Sequence, residues 1–233
     1  MVNIMGHRGA PFSEPENTLR SFRRALEMGV AAVELDVQLS KDGRLMVIHD
    51  ETLERTTNGR GRVKDFTAGE LRQLDAGRGE PIPFLNEVVE LVKGRAHLVV
   101  ELKQPDAAPA LGQFFQDHQI FELAHVISFW HPVLKAMKEE EPRLRTGALM
   151  VGCPADPAGL ARAALSEALI LHFAYVTPEL VAQAHEQGLL VYVWNIDDTD
   201  TLKPYLSMNL DGIGSNKPDV LIEYLGGGPG SFL

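Results

Sequence analysis

Short apolar runs alternate with amphipathic stretches about eight times along this chain, and that rhythm limits what it can fold into more than any other feature. The strand candidates are residues 2–6, 32–39, 97–102, 124–128, 145–149, 168–172, 190–194 and 211–214. Helical patterns lie near 17–28, 84–93, 107–119, 131–140, 156–166, 178–187, 198–206 and 217–225. Parallel neighbours in a sheet need a crossover of a dozen or more residues, which a helix supplies; about eight such units close into a (β/α)8 TIM barrel. Asn17 or Thr18, Asp156-Pro157 and Thr177-Pro178 mark helix starts, because their side chains can accept the free N–H groups of a first turn. Gly29 and Gly188 stand where helices should stop.

One segment breaks the rhythm. After 32–39 comes Lys41-Asp42-Gly43, too short for a helical crossover, and then a second apolar run, Leu45-Met46-Val47-Ile48-His49. A short Gly-containing turn joins antiparallel strands, so the α/β barrel is expected to carry a hairpin extension after strand 2, with His49 returned to the level of that strand's C-terminal end. Residues 51–83 then form a small insertion with a short helix near 67–75, opened by the capping box Thr67-x-x-Glu70. No boundary divides the chain, and residues 1–233 are expected to form a single domain. The tail Gly226-Gly227-Gly228-Pro229-Gly230 lacks the Lys-Ser/Thr of a phosphate loop and is expected to fray.

A formal net charge of -10 argues against nucleic acid as a partner and against stable association with an anionic membrane. An anionic substrate would need a local positive centre to override that field. Cys153 is the one cysteine, so no intramolecular disulfide forms. The start shows no signal peptide and no segment approaches ~18 uninterrupted apolar residues, which points to a cytoplasmic protein.

The second strand, Val33-Glu34-Leu35-Asp36-Val37-Gln38-Leu39, sets its polar residues on one face and its apolar residues on the other. In a barrel the apolar face meets the outer helices, so Glu34 and Asp36 turn into the barrel. The next strand, Leu98-Val99-Val100-Glu101-Leu102-Lys103, does the same with Glu101 and Lys103. Carboxylates ~4 Å apart repel by roughly 4 kcal/mol per pair at an effective dielectric of 20, so something positive must offset them. An internal ion-pair network with Lys103 and an arginine is one solution. A divalent cation at the C-terminal end of the barrel is the better one, and all-oxygen ligation favours Mg2+ or Ca2+ over zinc. His7 follows the first strand and His49 ends the hairpin, so two groups able to move protons near neutral pH flank the same acids. Arg8 could fork onto phosphate oxygens. His118 and His185 are expected to be ordinary helix histidines, and His97, His125, His131 and His172 to be rim residues or supports behind the site residues at most.

Taken in order, Gly6-His7-Arg8-Gly9, Pro15-Glu16-Asn17-Thr18, Glu34-Leu35-Asp36-Val37, Ile48-His49-Asp50, Leu53-x-Arg55-Thr56-Thr57-x-Gly59, Pro81-Ile82-Pro83, Glu101-Leu102-Lys103, Val193-Trp194 and Asp211-Gly212-Ile213 resemble the glycerophosphodiester phosphodiesterase family. The resemblance spans nearly the whole chain. It implies metal-dependent hydrolysis of a small-molecule glycerophosphodiester to glycerol 3-phosphate and an alcohol. His7 and His49 would be the general acid/base pair, Glu34, Asp36 and Glu101 the ligands of one divalent cation, and Arg8 and Lys103 the phosphate anchors. Glu16 would orient Arg8, Trp194 would wall the glycerol carbons, and residues 51–83 would cap the barrel mouth. Two departures stand out. Trp194-Asn195-Ile196-Asp197 replaces the family's common Trp-Thr-Val-Asn, and Ser215-Asn216 replaces its Thr-Asp. Both are expected at the rim, bearing on substrate preference and not on reaction class.

A zinc amidohydrolase would want His-x-His where this chain has His7-Arg8-Gly9. A non-catalytic sensor would be expected to have lost a histidine or a carboxylate, and both sets are complete.

Overall fold

Strand β2 (Ala32–Leu39) shows in one element how this chain closes on itself. Val33, Leu35 and Val37 point outward into a fully buried layer with Phe22 of α1 (Leu19–Met28) and Val88 and Val89 of α3 (Leu85–Val92). The residues between them point into the barrel. Each outward side chain taken from water contributes roughly 1.5–3 kcal/mol, so the outer layer repays the ordering of the strand. The computed structural model describes residues 2–226.

Around β2 the ring runs through β1 (Asn3–Gly6), β4 (His97–Leu102), β5 (Ala124–Ser128), β6 (Arg145–Met150), β7 (Ala168–His172), β8 (Leu190–Trp194) and β9 (Gly212–Ser215), all parallel. It closes where β1 pairs with both β2 (Gly6 opposite Val33) and β9 (Gly6 opposite Ser215). Helices α4 (Ala108–His118), α5 (His131–Glu140), α6 (Pro157–Ala163), α7 (Pro178–Glu186), α8 (Thr199–Leu202) and α9 (Pro218–Tyr224) cover the outside. This is a closed eight-stranded parallel barrel, as the alternation implied.

The hairpin is present. Strand β3 (Leu45–Val47) lies antiparallel to the C-terminal part of β2, with Val37 opposite Val47 and Leu39 opposite Leu45. Ile48 N donates to Asp36 O (3.0 Å), which fixes the chain just before His49 at the level of Asp36. Residues 51–83 fold around their own apolar cluster of Met46, Ile48, Leu53, Val63, Leu71 and Ile82, with α2 (Ala68–Leu71) opened by the Thr67–Glu70 capping box.

Several boundaries differ from the sequence reading, for local reasons. Helix α1 starts at Leu19 and not at residue 17: Thr18 is the cap, and Asn17 is held at φ 56° with its side chain on Asp36. The helix expected over 198–206 is α only to Leu202 and continues as a 3-10 turn over Lys203–Tyr205, because Pro204 has no N–H to give. The 67–75 helix stops after one turn. His97 and His125 lie at the start of β4 and β5, the end of the barrel opposite the mouth, and are not rim residues. The glycine-rich tail beyond Gly226 lies outside the described residues.

Candidate active site

Two adjacent strands deliver the three acids. Glu34 and Asp36 on β2 and Glu101 on β4 are all buried, with ligand oxygens within 4.8 Å of one another. Burial, then the charges of Asp36 and Glu101, raise the Glu34 carboxyl well above its ordinary range. Burial and then Asp36 push Glu101 up to about 7. For Asp36 burial acts in the same direction, but Arg8, His49 and Lys103 outweigh it and hold the carboxyl low. Arg8 Nε lies 3.3 Å and Lys103 Nζ 3.6 Å from Asp36, and Lys103 bonds Glu101 Oε1 at 2.7 Å. The ion-pair network that was the alternative to a cation therefore exists. It does not exhaust the acids: Glu34 Oε1 is buried with no hydrogen-bond partner among the described residues, and Asp36 Oδ1 has no hydrogen bond beyond the Lys103 ion pair. An unsatisfied oxygen in an all-carboxylate cluster fits a hard divalent cation.

The loop after β1 brings His7 and Arg8 to this cluster by a tight turn. Arg8 takes φ 55° while its backbone N–H donates to Glu34 Oε2 at 2.8 Å. A side chain at Gly6 would meet Gly9 O at 2.5 Å, and one at Gly9 would meet Ser21 Oγ at 2.4 Å, so the Gly-His-Arg-Gly motif is a steric requirement of the turn. Glu16 accepts from Arg8 Nη1 at 3.0 Å and from Arg55 of the insertion at 2.7 and 2.8 Å.

The two histidines are held differently. His7 Nδ1 lies 2.7 Å from Asn216 Oδ1, and Nε2 lies 4.0 Å from Glu34. Asn216 cannot turn over, because its backbone N and its Nδ2 both donate to Asp197 (2.7 and 2.8 Å). Its oxygen must face His7, while Asn195 places its amide nitrogen 3.1 Å from the same Nδ1, so the two amides make opposite demands on the imidazole tautomer and Nε2 is the nitrogen turned to the acid cluster. Burial, then the Arg8 charge, lower the imidazole to about 4. His49 Nδ1 instead faces a carboxylate, Asp50 Oδ1 at 2.5 Å. Arg55 grips Asp50 at 2.6 and 2.9 Å and holds its carboxyl far below the usual range. His49 Nε2 lies 3.0 Å from Lys103 Nζ, and burial lowers this imidazole against the pull of Asp36.

Across the cleft the chemistry changes. A hollow of about 570 Å3 has His7, Arg8, Glu34, His49, Glu101 and Lys103 on one side and Ile127, Phe129, Leu149, Ile170 and Trp194 on the other. Phe129 and Trp194 meet edge to face at 6.1 Å between centroids. Every residue that the sequence assigned to the site is thus at this mouth, with Glu16 behind Arg8.

The profile of the glycerophosphoryl diester phosphodiesterase family matches residues 7–220. The chain belongs to that family. A glycerophosphodiester phosphodiesterase of Caldanaerobacter subterraneus subsp. tengcongensis is 38% identical over 94% of this chain and 96% of its own. One of Bacillus altitudinis is 34% identical over 96% and 98%. Among solved structures, an Oleispira antarctica phosphodiesterase in complex with the product sn-glycerol-3-phosphate superposes with a TM-score of 0.90 at 27% identity, covering 96% of both chains. A glycerophosphodiester phosphodiesterase of Agrobacterium tumefaciens superposes with a TM-score of 0.84 at 30% identity, covering 94% of this chain and 98% of that one. As a member of the glycerophosphoryl diester phosphodiesterase family this chain is a hydrolase, and no helix among its described residues is long and apolar enough to cross a membrane.

Within this family fold, the placement of the two sequence departures needs correction. Asn195 and Asn216 are not rim residues: Asn195 Nδ2 and Asn216 Oδ1 lie 3.1 and 2.7 Å from His7 Nδ1, and Asp197 fixes Asn216. They bear on the state of His7 as well as on substrate. Their signal in the sequence was a polar residue directly after β8 and β9, at the end of the barrel where inward positions meet the site. Asp50 and Arg55 stood in quoted motifs without a role. Adjacency of Asp50 to His49 was visible, but the reach of Arg55 back to Glu16 was not.

Proposed function

We propose that this chain hydrolyses small-molecule glycerophosphodiesters to glycerol 3-phosphate and an alcohol, using one divalent cation, Mg2+ or Ca2+, and the histidine pair His7 and His49. The observation that carries the reading is the convergence of three buried carboxylates and two imidazole Nε2 atoms on one cleft. Glu34, Asp36 and Glu101 would hold the cation, and the buried, unsatisfied Glu34 Oε1 supports that assignment. When bound, such an ion neutralises phosphate charge and makes phosphorus more open to attack. Arg8 and Lys103 bind the phosphate oxygens and stabilise the charge that builds on them. One of His7 and His49 takes the proton of the nucleophile and the other gives a proton to the departing oxygen, each through the Nε2 that faces the cleft. Trp194 walls the glycerol carbons, and Glu16 orients Arg8.

In the same reading residues 1–233 work as one domain whose insertion, 51–83, caps the mouth. The Arg55 bonds to Glu16 and Asp50 support that role, since they tie the insertion to the loop carrying Arg8 and to His49 at once. The test is a coupled glycerol 3-phosphate assay over several glycerophosphodiesters, with and without chelator. Release that needs added Mg2+ or Ca2+ is the expected result. Absence of glycerol 3-phosphate release overturns the function, and full activity after complete cation removal overturns the role of the carboxylates.

A further inference from the structure

His7 stands between two amides that ask opposite things of it. Asn216 Oδ1 lies 2.7 Å from Nδ1 and needs a hydrogen there, whereas Asn195 Nδ2 lies 3.1 Å away and needs a lone pair. One nitrogen of a neutral imidazole cannot satisfy both. The two ends of an amide are alike in shape, so the bonds around each amide decide which one gives way. Asn216 is fixed from behind. Asp197 Oδ1 accepts from its backbone N at 2.7 Å and from Ser215 Oγ at 3.1 Å, and Asp197 Oδ2 accepts from its Nδ2 at 2.8 Å. Asn195 has no such hold: its Oδ1 is buried with no hydrogen-bond partner among the described residues. A bond to an ionised acceptor is roughly twice as strong as one between neutral groups. Asn195 is therefore the amide that turns, and Asn216 the one that stays.

We infer that Asp197 is a positioning residue for His7: acting through Asn216, it holds the hydrogen on Nδ1 and leaves the Nε2 lone pair facing the acid cluster. Which ring nitrogen carries the hydrogen is set by the bond offered to the other side of the ring. Strand pairing brings the parts together. Gly6 lies opposite Ser215, His7 N donates to Ser215 O at 3.0 Å, and Ile196 N donates to Gly214 O at 3.0 Å. The exits of β1, β8 and β9 thus meet at one point. Both residues of this relay are sequence departures: where the family commonly has an amide at 197 and an acid at 216, this chain has the two exchanged. An acid at 216 would hold the hydrogen on Nδ1 directly, and here it is held at one remove. The kinetic consequence rests on the phosphodiesterase reading above, since a lone pair at Nε2 can take a proton and an N–H there cannot.

Replacing Asp197 by Asn should invert the tautomer, not merely loosen it. The Asn216 backbone N–H still needs an acceptor, so the new amide oxygen stays with it. The new Nδ2 then faces the Asn216 side chain, which turns its oxygen toward it and its nitrogen toward His7. Both amides beside the ring now need a lone pair at Nδ1, and the hydrogen moves to Nε2. Asp197→Asn combined with Asn216→Asp puts a carboxylate against Nδ1 and returns the hydrogen to it. The tautomer is read from imidazole nitrogen-15 shifts of the full chain in Mg2+ at pH 8, with His7 assigned by the signals lost in His7→Gln. Nδ1–H is expected in the unmodified chain and the double variant, and Nε2–H in Asp197→Asn. In the same series kcat for glycerophosphocholine should fall on the order of 10²-fold in Asp197→Asn with KM little changed, and recover in the double variant. Nε2–H in the unmodified chain overturns the inference, whether or not the variants fold. So does Nδ1–H that persists in folded Asp197→Asn, or a kcat loss that the folded double variant does not recover. Absence of glycerol 3-phosphate release from every form removes the phosphodiesterase reading and leaves the tautomer result standing.

Discussion

The mouth of this barrel is built from two unlike halves. Strands β1, β2 and β4 with the hairpin contribute His7, Glu34, Asp36, His49, Glu101 and Lys103, while β5 to β8 contribute Ile127, Phe129, Leu149, Ile170 and Trp194. In both halves the outward positions are the same kind of residue, packed against helices. The difference lies wholly in the inward positions. A strand whose inward positions are acidic costs stability, and the charged half offsets that cost with Arg8, Lys103 and a dense set of hydrogen bonds. The apolar half needs no such support and is free to vary in shape.

Substitutions on either side test that division. The largest expected effect is on the charged side. Positioned proton transfer is typically worth 10²–10⁴-fold, so His7→Ala and His49→Ala should each lower kcat by about that much with little change in melting temperature. Near-normal turnover in both would break the assignment of chemistry to this half.

The charged half should also make stability depend on pH in a way that a cation reverses. Glu101 at about 7 in the folded chain, against an ordinary 4.5, favours folding below pH 4.5, and that contribution is lost as pH rises through 7. The loss is roughly 3 kcal/mol, at about 1.4 kcal/mol per pKa unit. His7, at about 4 against 6.5, acts oppositely: its contribution is complete above pH 6.5 and disappears as pH falls through 4. In chelator these two slopes oppose each other between pH 4.5 and 6.5, the raised Glu34 carboxyl adds to the Glu101 side, and stability should fall as pH rises through 7. A bound cation keeps the carboxylates ionised and removes the Glu101 loss. The rise in melting temperature on adding Mg2+ or Ca2+ should therefore be small at pH 5 and on the order of 10 °C at pH 8, measured by scanning calorimetry. A cation effect equal at both values would break this account.

On the apolar side the effect is smaller and of another kind. Trp194→Ala should raise KM for glycerophosphocholine by about tenfold, the equivalent of roughly 1.4 kcal/mol of lost contact, with kcat nearly unchanged. A fall in kcat as large as for the histidine variants would erase the distinction between the halves.

Strand-helix alternation makes the barrel legible, and the period-two pattern of 33–39 and 98–103 puts Glu34, Asp36 and Glu101 on the inward face where the structure has them, because burial of the apolar face dictates where the other face points. The short Lys41-Asp42-Gly43 turn disclosed the hairpin and the position of His49. What stayed hidden joins residues far apart in the chain. Asn216 lies 209 positions from His7, and Arg55 lies 39 from Glu16; neither spacing follows any helical or strand period. Pro204 could have ended α8 on sequence alone, whereas the early exit of Asn17 from α1 depends on Asp36 offering it a better partner.

The charged half comes from residues 7–103 and the apolar wall from residues 127–194, two uninterrupted stretches of one polypeptide. Recombination at a single junction near the start of β5 would therefore exchange the recognition surface between relatives and carry the acids and His49 across unbroken. His7 is the exception, since Asp197 and Asn216 reach it from the far end. Chimeras of this kind should keep residues 195–216 from the parent that supplies the first hundred.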